Sequence, residues 1–212
     1  HSLPKEVSRL AIAITGPRTN QAWQGSDTGP MDFYDLKGIL EALFRRLHIE
    51  GVRFVKGSGA SYHPGKCARV LVEGEELGTF GEIDPRVKAQ YDLPGSPLMA
   101  GKFDLRAIMD HVSSLYAVQA IPEQPPVLED LAIVLDEDVP AVEVADLIRQ
   151  TAGDIVAEVR LFDVYRGDQI GEGKKSLAYN LVYQHPERTL TDDEVKDVRE
   201  SILYRLDKEL DA

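Results

Sequence analysis

Glycine, lysine and serine residues crowd together at positions 167–176, which read GDQIGEGKKS. This composition is typical of phosphate-binding loops, in which a glycine five residues upstream precedes Gly-Lys-Ser/Thr. Here Gly173-Lys174 is followed by a second lysine, and Asp168 stands where the first glycine is required. The residues that follow alternate like a strand, whereas a P-loop leads into a helix. We therefore interpret residues 167–173 as a hairpin loop in which glycine allows positive φ.

Two pairs of side chains could bind metals or act as acid and base, but their settings favour structural roles. His63 and Cys67 stand four residues apart, and the Pro-Gly between them excludes the helix that would align two ligands. Cys67 is the single cysteine, so no CxxC site exists in the chain. Asp32 and Asp35 fall in the first turn of a predicted helix, where carboxylates cap backbone N–H groups. We predict no catalytic residue and no metal ligand.

Composition limits the class of protein. The 212 residues are 43% hydrophobic, enough for a packed core, and no apolar run reaches the length of a membrane span. Without an apolar leader, the expected compartment is the cytoplasm, and no membrane partner is expected. Because the chain begins at His1 rather than at methionine, we expect it to be a fragment of a longer protein.

Charge is distributed unevenly along the chain. Residues 1–120 contain 14 basic and 14 acidic side chains, whereas residues 121–212 contain 10 basic and 22 acidic ones. The whole net charge of −12 therefore lies in the second part. Taken alone, this acidity argues against a nucleic-acid footprint, because phosphate contacts require clustered lysine and arginine.

Three prolines within residues 120–126 predict a linker, because proline cannot supply ladder hydrogen bonds. We therefore expect domains at 1–119 and 127–212. The second domain shows strand, helix, strand, strand and helix patterns, and one further strand would complete a ferredoxin-like, split βαβ arrangement. The first domain mixes strands and helices without regular alternation, which predicts an antiparallel α+β module. The fold class is thus α+β.

The predicted strand over residues 175–184 has two different faces. Leu177, Tyr179, Leu181 and Tyr183 alternate along one face, which is expected to be buried. The other face has small and polar residues near the glycine-rich loop, where a flat base could approach. We place on it Ser176, Ala178 and Asn180, with Lys174, Lys175 and Arg188 available for phosphates. From composition alone, an ordinary solvated surface is the favoured interpretation.

Three motifs argue against the interpretation as an ordinary solvated surface. They are LFDVYRG at 161–167, GKKSLAYNLVYQ at 173–184 and ERTLTDDEV at 187–195. In this order they resemble the ferredoxin-fold anticodon-binding domain of phenylalanyl-tRNA synthetases. The resemblance runs from about Pro122 to the end of the chain. MDFYDLKGILEAL at 31–43 and YHPGKCARVLVEGEELGTFGEIDP at 62–85 resemble the end of the catalytic-like core in the bacterial-type β subunit of the same family.

The resemblance implies a partial class II synthetase-like antiparallel α+β module followed by a ferredoxin-like domain. It implies an enzyme that charges tRNA(Phe) with phenylalanine, using ATP and Mg²⁺ bound in a catalytic α subunit. This chain would then bind no cofactor itself, and would serve subunit assembly and binding of the anticodon stem-loop. The implied RNA-binding residues are Asp163, Tyr165, Lys174, Lys175, Ser176, Ala178, Asn180 and Arg188.

Two alternatives remain at this stage. A ferredoxin-like protein-interaction module without RNA binding is consistent with the acidic second domain, because this fold hosts many functions. A self-contained single-chain synthetase would need the ATP-binding arginines of a class II active site ahead of the anticodon domain, and the glycine-rich stretch at 57–65 shows no such pattern. Salt-dependent tRNA binding separates the first alternative from the preferred function.

Overall fold

The computed structural model describes residues 6–23, 25–93, 95–113, 124–185 and 188–211. The chain divides into two compact units, His1–Ala117 and Val118–Ala212, and each unit has its own cluster of buried apolar side chains. The predicted linker at 120–126 lies mostly outside the described residues. Among the described residues, no helix is both long and apolar enough to cross a bilayer.

The first unit is an antiparallel sheet with helices, as predicted. Its sheet order is β1-β5-β4-β3-β2, and every neighbouring pair is antiparallel. The elements in chain order are β1 (Arg9–Thr15), α1 (Phe33–Arg46), β2 (Val52–Lys56), β3 (Tyr62–Val72), β4 (Glu75–Ile83), α2 (Pro85–Gln90), β5 (Leu98–Asp104) and α3 (Leu105–Asp110).

Helix α1 supplies much of the first core. Its sequence spacing predicts one apolar stripe, formed by Leu36, Leu40, Leu43 and Leu47, and the structure changes this stripe at one position. Leu36 and Leu40 are fully buried, as expected from their spacing. Phe44 is the third buried residue of the helix, while Leu43 and Leu47 are only half-buried. Position 44 follows position 40 by about one helical turn, so Leu36, Leu40 and Phe44 form one buried row along the helix.

Polar residues at the start of α1 have structural roles, as the sequence indicates. Asp32 and Asp35 form a capping box, in which each carboxylate accepts a backbone N–H of the other residue. Arg18 also donates to both carboxylates, at 2.7 Å to Asp32 and 2.9 Å to Asp35, and its guanidinium holds the pKa of Asp35 below the ordinary value. His63 accepts the backbone N–H of Gly65 at 3.1 Å, which makes it a turn cap.

The second unit is a three-stranded antiparallel sheet in the order β6-β8-β7 with two helices. This is the strand, helix, strand, strand, helix order that the sequence predicts. The elements are β6 (Val127–Asp136), α4 (Ala141–Ala152), β7 (Val156–Tyr165), β8 (Lys174–Tyr183) and α5 (Asp192–Leu210). Short 3₁₀ turns occupy Gly153–Ile155 and Asp168–Ile170.

Both helices cover the same face of this sheet. Buried residues of α4, α5 and the central strand β8 belong to one apolar cluster, which includes Ile148, Leu177 and Ile202. Strand β8 alternates strictly between buried and half-buried residues along its whole length. The sheet therefore has an inner face beneath the helices and an outer face without helix cover in this unit.

Candidate nucleic-acid interface

Three cross-strand rows centred on β8 form the central part of the outer face of the second sheet. Residues opposite each other in an antiparallel pair point to the same side of the sheet, so pairing defines each row. The rows, each written from β6 through β8 to β7, are Val134–Ser176–Tyr165, Ala132–Ala178–Asp163 and Asp130–Asn180–Arg160. The structure thus brings five of the eight predicted residues together: Tyr165, Ser176, Ala178, Asn180 and Asp163.

Small side chains occupy the middle of this face. Ala132 and Ala178 lie side by side in the middle row, so methyl groups cover its β6 and β8 positions, while Asp163 occupies its β7 position. On one side of them Asn180 donates from Nδ2 to Asp130 Oδ1 at 2.9 Å. On the other side Ser176 pairs with Tyr165, whose side chain is exposed. The flat ring of a base could lie on the two alanines, with the hydrogen-bonding groups of the neighbouring rows at its edges.

A bulge in β7 adds Arg160, which the sequence analysis missed. Leu161 pairs with Tyr179 and Asp163 with Ala178, so Phe162 is an extra residue without a partner in β8. The extra residue reverses the alternation, and Arg160 therefore lies opposite Asn180 on the outer face. Simple alternation back from Asp163 would instead have placed Leu161 outward. An unbroken period of two offers no signal for such a shift.

The glycine-rich stretch is a hairpin loop, as predicted, and joins β7 to β8. Gly171 and Gly173 have φ of +91° and +77°, in the region that favours glycine. Gly167 differs from them, because its φ of −176° is extended backbone that any residue adopts. Lys174, the first residue of β8, pairs with Asp136 across the strands, and its Nζ lies 3.2 Å from that carboxylate.

The expectation that Lys175 stands beside Lys174 as a phosphate ligand is wrong about its position. Lys175 shares the inner face with Leu177, and only 7% of it is exposed. Its Nζ donates to the backbone carbonyl of Glu137 at 2.6 Å. The carboxylate of the same glutamate receives three hydrogen bonds from Arg166, which holds the pKa of Glu137 below its ordinary value. Lys175 therefore anchors the loop after β6.

Arg188 lies at the other end of β8. Lys174 begins this strand, which spans about 30 Å to its last residue, Tyr183, and Arg188 lies five residues further along the chain. Arg188 donates two hydrogen bonds to Glu194, at 2.6 Å and 2.8 Å. Glu194 also completes the capping box of α5 with Thr191. The hydrogen bond from Arg188, assisted by Thr191, lowers the pKa of Glu194 to about 2.

The outer face is not basic. Arg160 and Lys174 are its cations, whereas the cross-strand partners in and beside the three rows include Asp130, Asp136 and Asp163. This arrangement suits hydrogen bonding to the donor groups of bases better than broad attraction of a phosphate backbone. Among the described residues, no group of three or more His, Cys, Asp or Glu side chains is placed to hold a metal ion.

Comparison with known proteins gives two matches that follow the division of the chain. Residues 122–212 match the ferredoxin-fold anticodon binding domain, and residues 1–105 match the phenylalanyl tRNA synthetase beta chain CLM domain. The chain belongs to the phenylalanyl-tRNA synthetase β-chain family. The resemblance read from the three motifs is thereby confirmed, as are the α+β class and the ferredoxin-like second unit.

Relatives of this β-chain family align along nearly the whole chain. The phenylalanine–tRNA ligase beta subunit of Moorella thermoacetica is 40% identical over 210 residues, 99% of this chain and 26% of the relative. The corresponding subunits of Bacillus subtilis and Symbiobacterium thermophilum are 35% and 36% identical, over 96% and 94% of this chain. The chain spans about a quarter of the length of these relatives.

Proposed function

We propose that this chain supplies anticodon stem-loop binding and subunit assembly to a phenylalanine–tRNA ligase. The observation that carries the proposal is the outer face of the β6-β8-β7 sheet, with small residues flanked by hydrogen-bonding rows. It lies within the residues that match an anticodon-binding domain. In the whole enzyme, tRNA(Phe) would be charged with phenylalanine in the cytoplasm, using ATP and Mg²⁺ in a catalytic α subunit.

Each residue of the outer face has a proposed part in RNA binding. Ala178 leaves room for a base plane, and Tyr165 offers an aromatic ring on which a base stacks. Ser176, Asn180 and Asp163 present hydroxyl, amide and carboxylate groups to base edges, and the carboxylate accepts from base amino groups. The proposed phosphate contacts are Lys174 and Arg160, since both are cations of this face.

Two predicted phosphate ligands take different parts in this proposal. Lys175 supports the face indirectly, through the carbonyl of Glu137. Arg188 would contact RNA at the far end of β8, and only after giving up its paired hydrogen bonds to Glu194. With so few cations near the outer face, affinity for RNA should depend weakly on salt concentration, with a slope of roughly 0.7–0.9 log units per neutralised phosphate.

The proposed assembly role rests on exposed aromatic side chains in the first unit. Trp23 is 92% exposed and Tyr34 is 76% exposed, and large aromatic residues are enriched where proteins meet. At this exposure Trp23 does not cover a core of its own unit. We expect the 212-residue chain alone to activate no amino acid, and phenylalanine-dependent ATP–pyrophosphate exchange by the pure chain would contradict this.

The acidity of the second unit favours one alternative, a protein-interaction module that binds no RNA. The deciding measurement is the affinity of the assembled α–β enzyme for tRNA(Phe) and for anticodon-swapped tRNAs at two salt concentrations. Ser176→Trp should fill the space beside the alanines and reduce discrimination between anticodons. Lys174→Glu should weaken the binding of all these tRNAs to the same extent and make the dependence of affinity on salt concentration shallower.

A matched control separates a local contact from general repulsion. Lys196→Glu makes the same change of charge on α5, where Lys196 pairs with Glu200 at 3.9 Å. It should leave affinity and discrimination close to those of the parent enzyme. If Ser176→Trp and Lys174→Glu behave like this control, the outer face is not the RNA site, and the interaction-module alternative is preferred.

A further inference from the structure

We infer that Gly167 is a positioning residue for Tyr165. Because Gly167 has no side chain, the tyrosine ring can lie against its Cα at the loop end of the outer face. The space above Ser176 and Ala178 then stays open. This inference rests on the proposed function, because the open space matters only if a base enters it. It concerns a residue that makes no contact with RNA in that proposal.

The geometry around Gly167 shows why a side chain is excluded there. A Cβ built on this glycine would overlap the hydroxyl oxygen of Tyr165 and would lie 2.6 Å from Cζ of the same ring. Such approaches are shorter than carbon–carbon contact at about 3.5–4.0 Å allows. The tip of the Tyr165 ring therefore lies directly against Gly167, two residues further along the chain on the same side.

Backbone conformation does not account for glycine at this position. The φ of Gly167 is −176°, which any residue adopts, whereas Gly171 in the same loop has φ of +91°. A Cβ on Gly171 would meet no atom within 4 Å. One loop thus contains a glycine required by its backbone, at 171, and a glycine required by a neighbouring ring, at 167.

The direction of the ring affects the candidate interface. Tyr165 lies opposite Ser176, in the row nearest the hairpin loop. With its tip against Gly167, the ring extends along the strand toward the loop and away from the row that contains Ala178 and Asp163. A side chain at 167 would push the ring off this position. Because 43% of Tyr165 is exposed, the ring can move without unfolding the core.

The first test observes the ring directly, without RNA. The 212-residue chain is labelled with 3-fluorotyrosine, and the Tyr165 resonance is assigned from the Tyr165→Phe spectrum. Gly167→Ala should shift this ¹⁹F resonance and leave the urea midpoint close to that of the parent chain. Gly171→Ala is the matched control: it should lower the urea midpoint, because of its positive φ, and leave the Tyr165 resonance in place.

The second test asks whether Gly167 acts through Tyr165. In the assembled enzyme, Tyr165→Ala should weaken binding of tRNA(Phe) by roughly five- to 100-fold, the range for loss of one stacked base. Gly167→Ala should weaken it at least threefold when Tyr165 is present, and should have no further effect in the Tyr165→Ala background.

The outcomes separate the inference from the proposed function. An unshifted Tyr165 resonance in Gly167→Ala overturns the inference, whatever the RNA measurements give. An equal loss of affinity from Gly167→Ala in both backgrounds also overturns it. A shifted resonance with unchanged affinity in Tyr165→Ala supports the positioning of the ring and overturns the part of Tyr165 in RNA binding. A chain that unfolds with Gly167→Ala but refolds with Tyr165→Ala added supports the inference.

Discussion

Lys174 and Lys175 are adjacent residues with opposite roles. Lys174 lies on the outer face beside Asp136, whereas Lys175 is buried and donates to the carbonyl of Glu137. A long aliphatic stem lets a lysine cross apolar surroundings as long as its ammonium group finds acceptors. Single substitutions at the two positions should therefore have different consequences, although the residue type is the same.

We predict that Lys175→Met destabilises the chain by roughly 1–3 kcal/mol, because the carbonyl of Glu137 loses its buried donor. Lys174→Met should change the free energy of unfolding by less than about 0.5 kcal/mol, since its partner is exposed. Urea unfolding measures both values. The assignment of the two faces is contradicted if Lys174→Met is the more destabilising of the pair.

Glu194 links stability to pH through its contact with Arg188. Its pKa of about 2 lies below the ordinary value of 4.5, chiefly because Arg188 donates to the carboxylate. A lowered pKa means that the native state favours the ionised form, so the contribution is full above pH 4.5 and is lost as the pH falls toward 2. The urea midpoint of the parent chain should therefore exceed that of Glu194→Gln at pH 7, and the difference should shrink between pH 5 and pH 2.

The control for this prediction is Glu143→Gln, the same substitution in the first turn of α4. Both glutamates experience the positive end of a helix dipole, but the ion pair with Arg188 belongs to Glu194. A pH-dependent difference of equal size in Glu143→Gln would attribute the effect to the dipole instead of to the ion pair and capping box.

At the scale of elements, the bulge at Phe162 decides which residues of β7 lie on the outer face of the sheet. On the loop side of the bulge, Tyr165 and Asp163 point outward, and beyond it Arg160 does so. Inner-face residues on the far side include Val159, which is 7% exposed. One extra residue thus keeps both halves of a strand apolar toward the helices, despite a break in their alternation.

Deletion of Phe162 should make β7 regular and leave its two faces unchanged. Leu161 and Asp163 would then follow each other opposite Tyr179 and Ala178, so Arg160 stays outward and Val159 stays inward. Thermal unfolding of the deletion variant should therefore resemble that of Phe162→Ala, which loses the same exposed ring but keeps the extra residue. A cost of several kcal/mol from the deletion and not from Phe162→Ala would contradict the account of the bulge.

At the scale of the whole molecule, the chain contains two separate cores. The first cluster includes Leu36 and the second includes Ile148, and neither cluster contains residues of the other unit. Each unit is of the size at which a single domain folds cooperatively. The division of labour in the proposed function, assembly in one unit and RNA binding in the other, requires this independence.

We predict two unfolding transitions that respond to different substitutions. Leu36→Ala and Ile148→Ala each remove a fully buried side chain and should each cost roughly 2–5 kcal/mol. Each change should lower the midpoint of one transition and leave the other unchanged, as followed by amide hydrogen exchange on peptides from 33–46 and 174–183. If either substitution changes the unfolding midpoint reported by both sets of peptides, the chain has a single cooperative core.

Much of this organisation follows from the sequence alone. Alternating residues predict β8, capping residues at Asp32 and Thr191 predict where two helices begin, and the loop at 167–173 is excluded as a P-loop by its register. These signals are local, because propensity, capping and a period of two act between residues a few positions apart. Three separated motifs were sufficient to indicate the family.

Tertiary structure decided which of these residues lie together. The sequence analysis expected Lys175 to bind phosphate beside Lys174, whereas the structure places it with Leu177 on the inner face, where the carbonyl of Glu137 accommodates its charge. The bulge that turns Arg160 outward, and the strand length that separates Arg188 from Lys174, depend on pairing between distant segments. A period in the sequence defines which side of a strand a residue occupies. Its neighbours on that side come from other strands, so the composition of the candidate site is a property of the folded sheet.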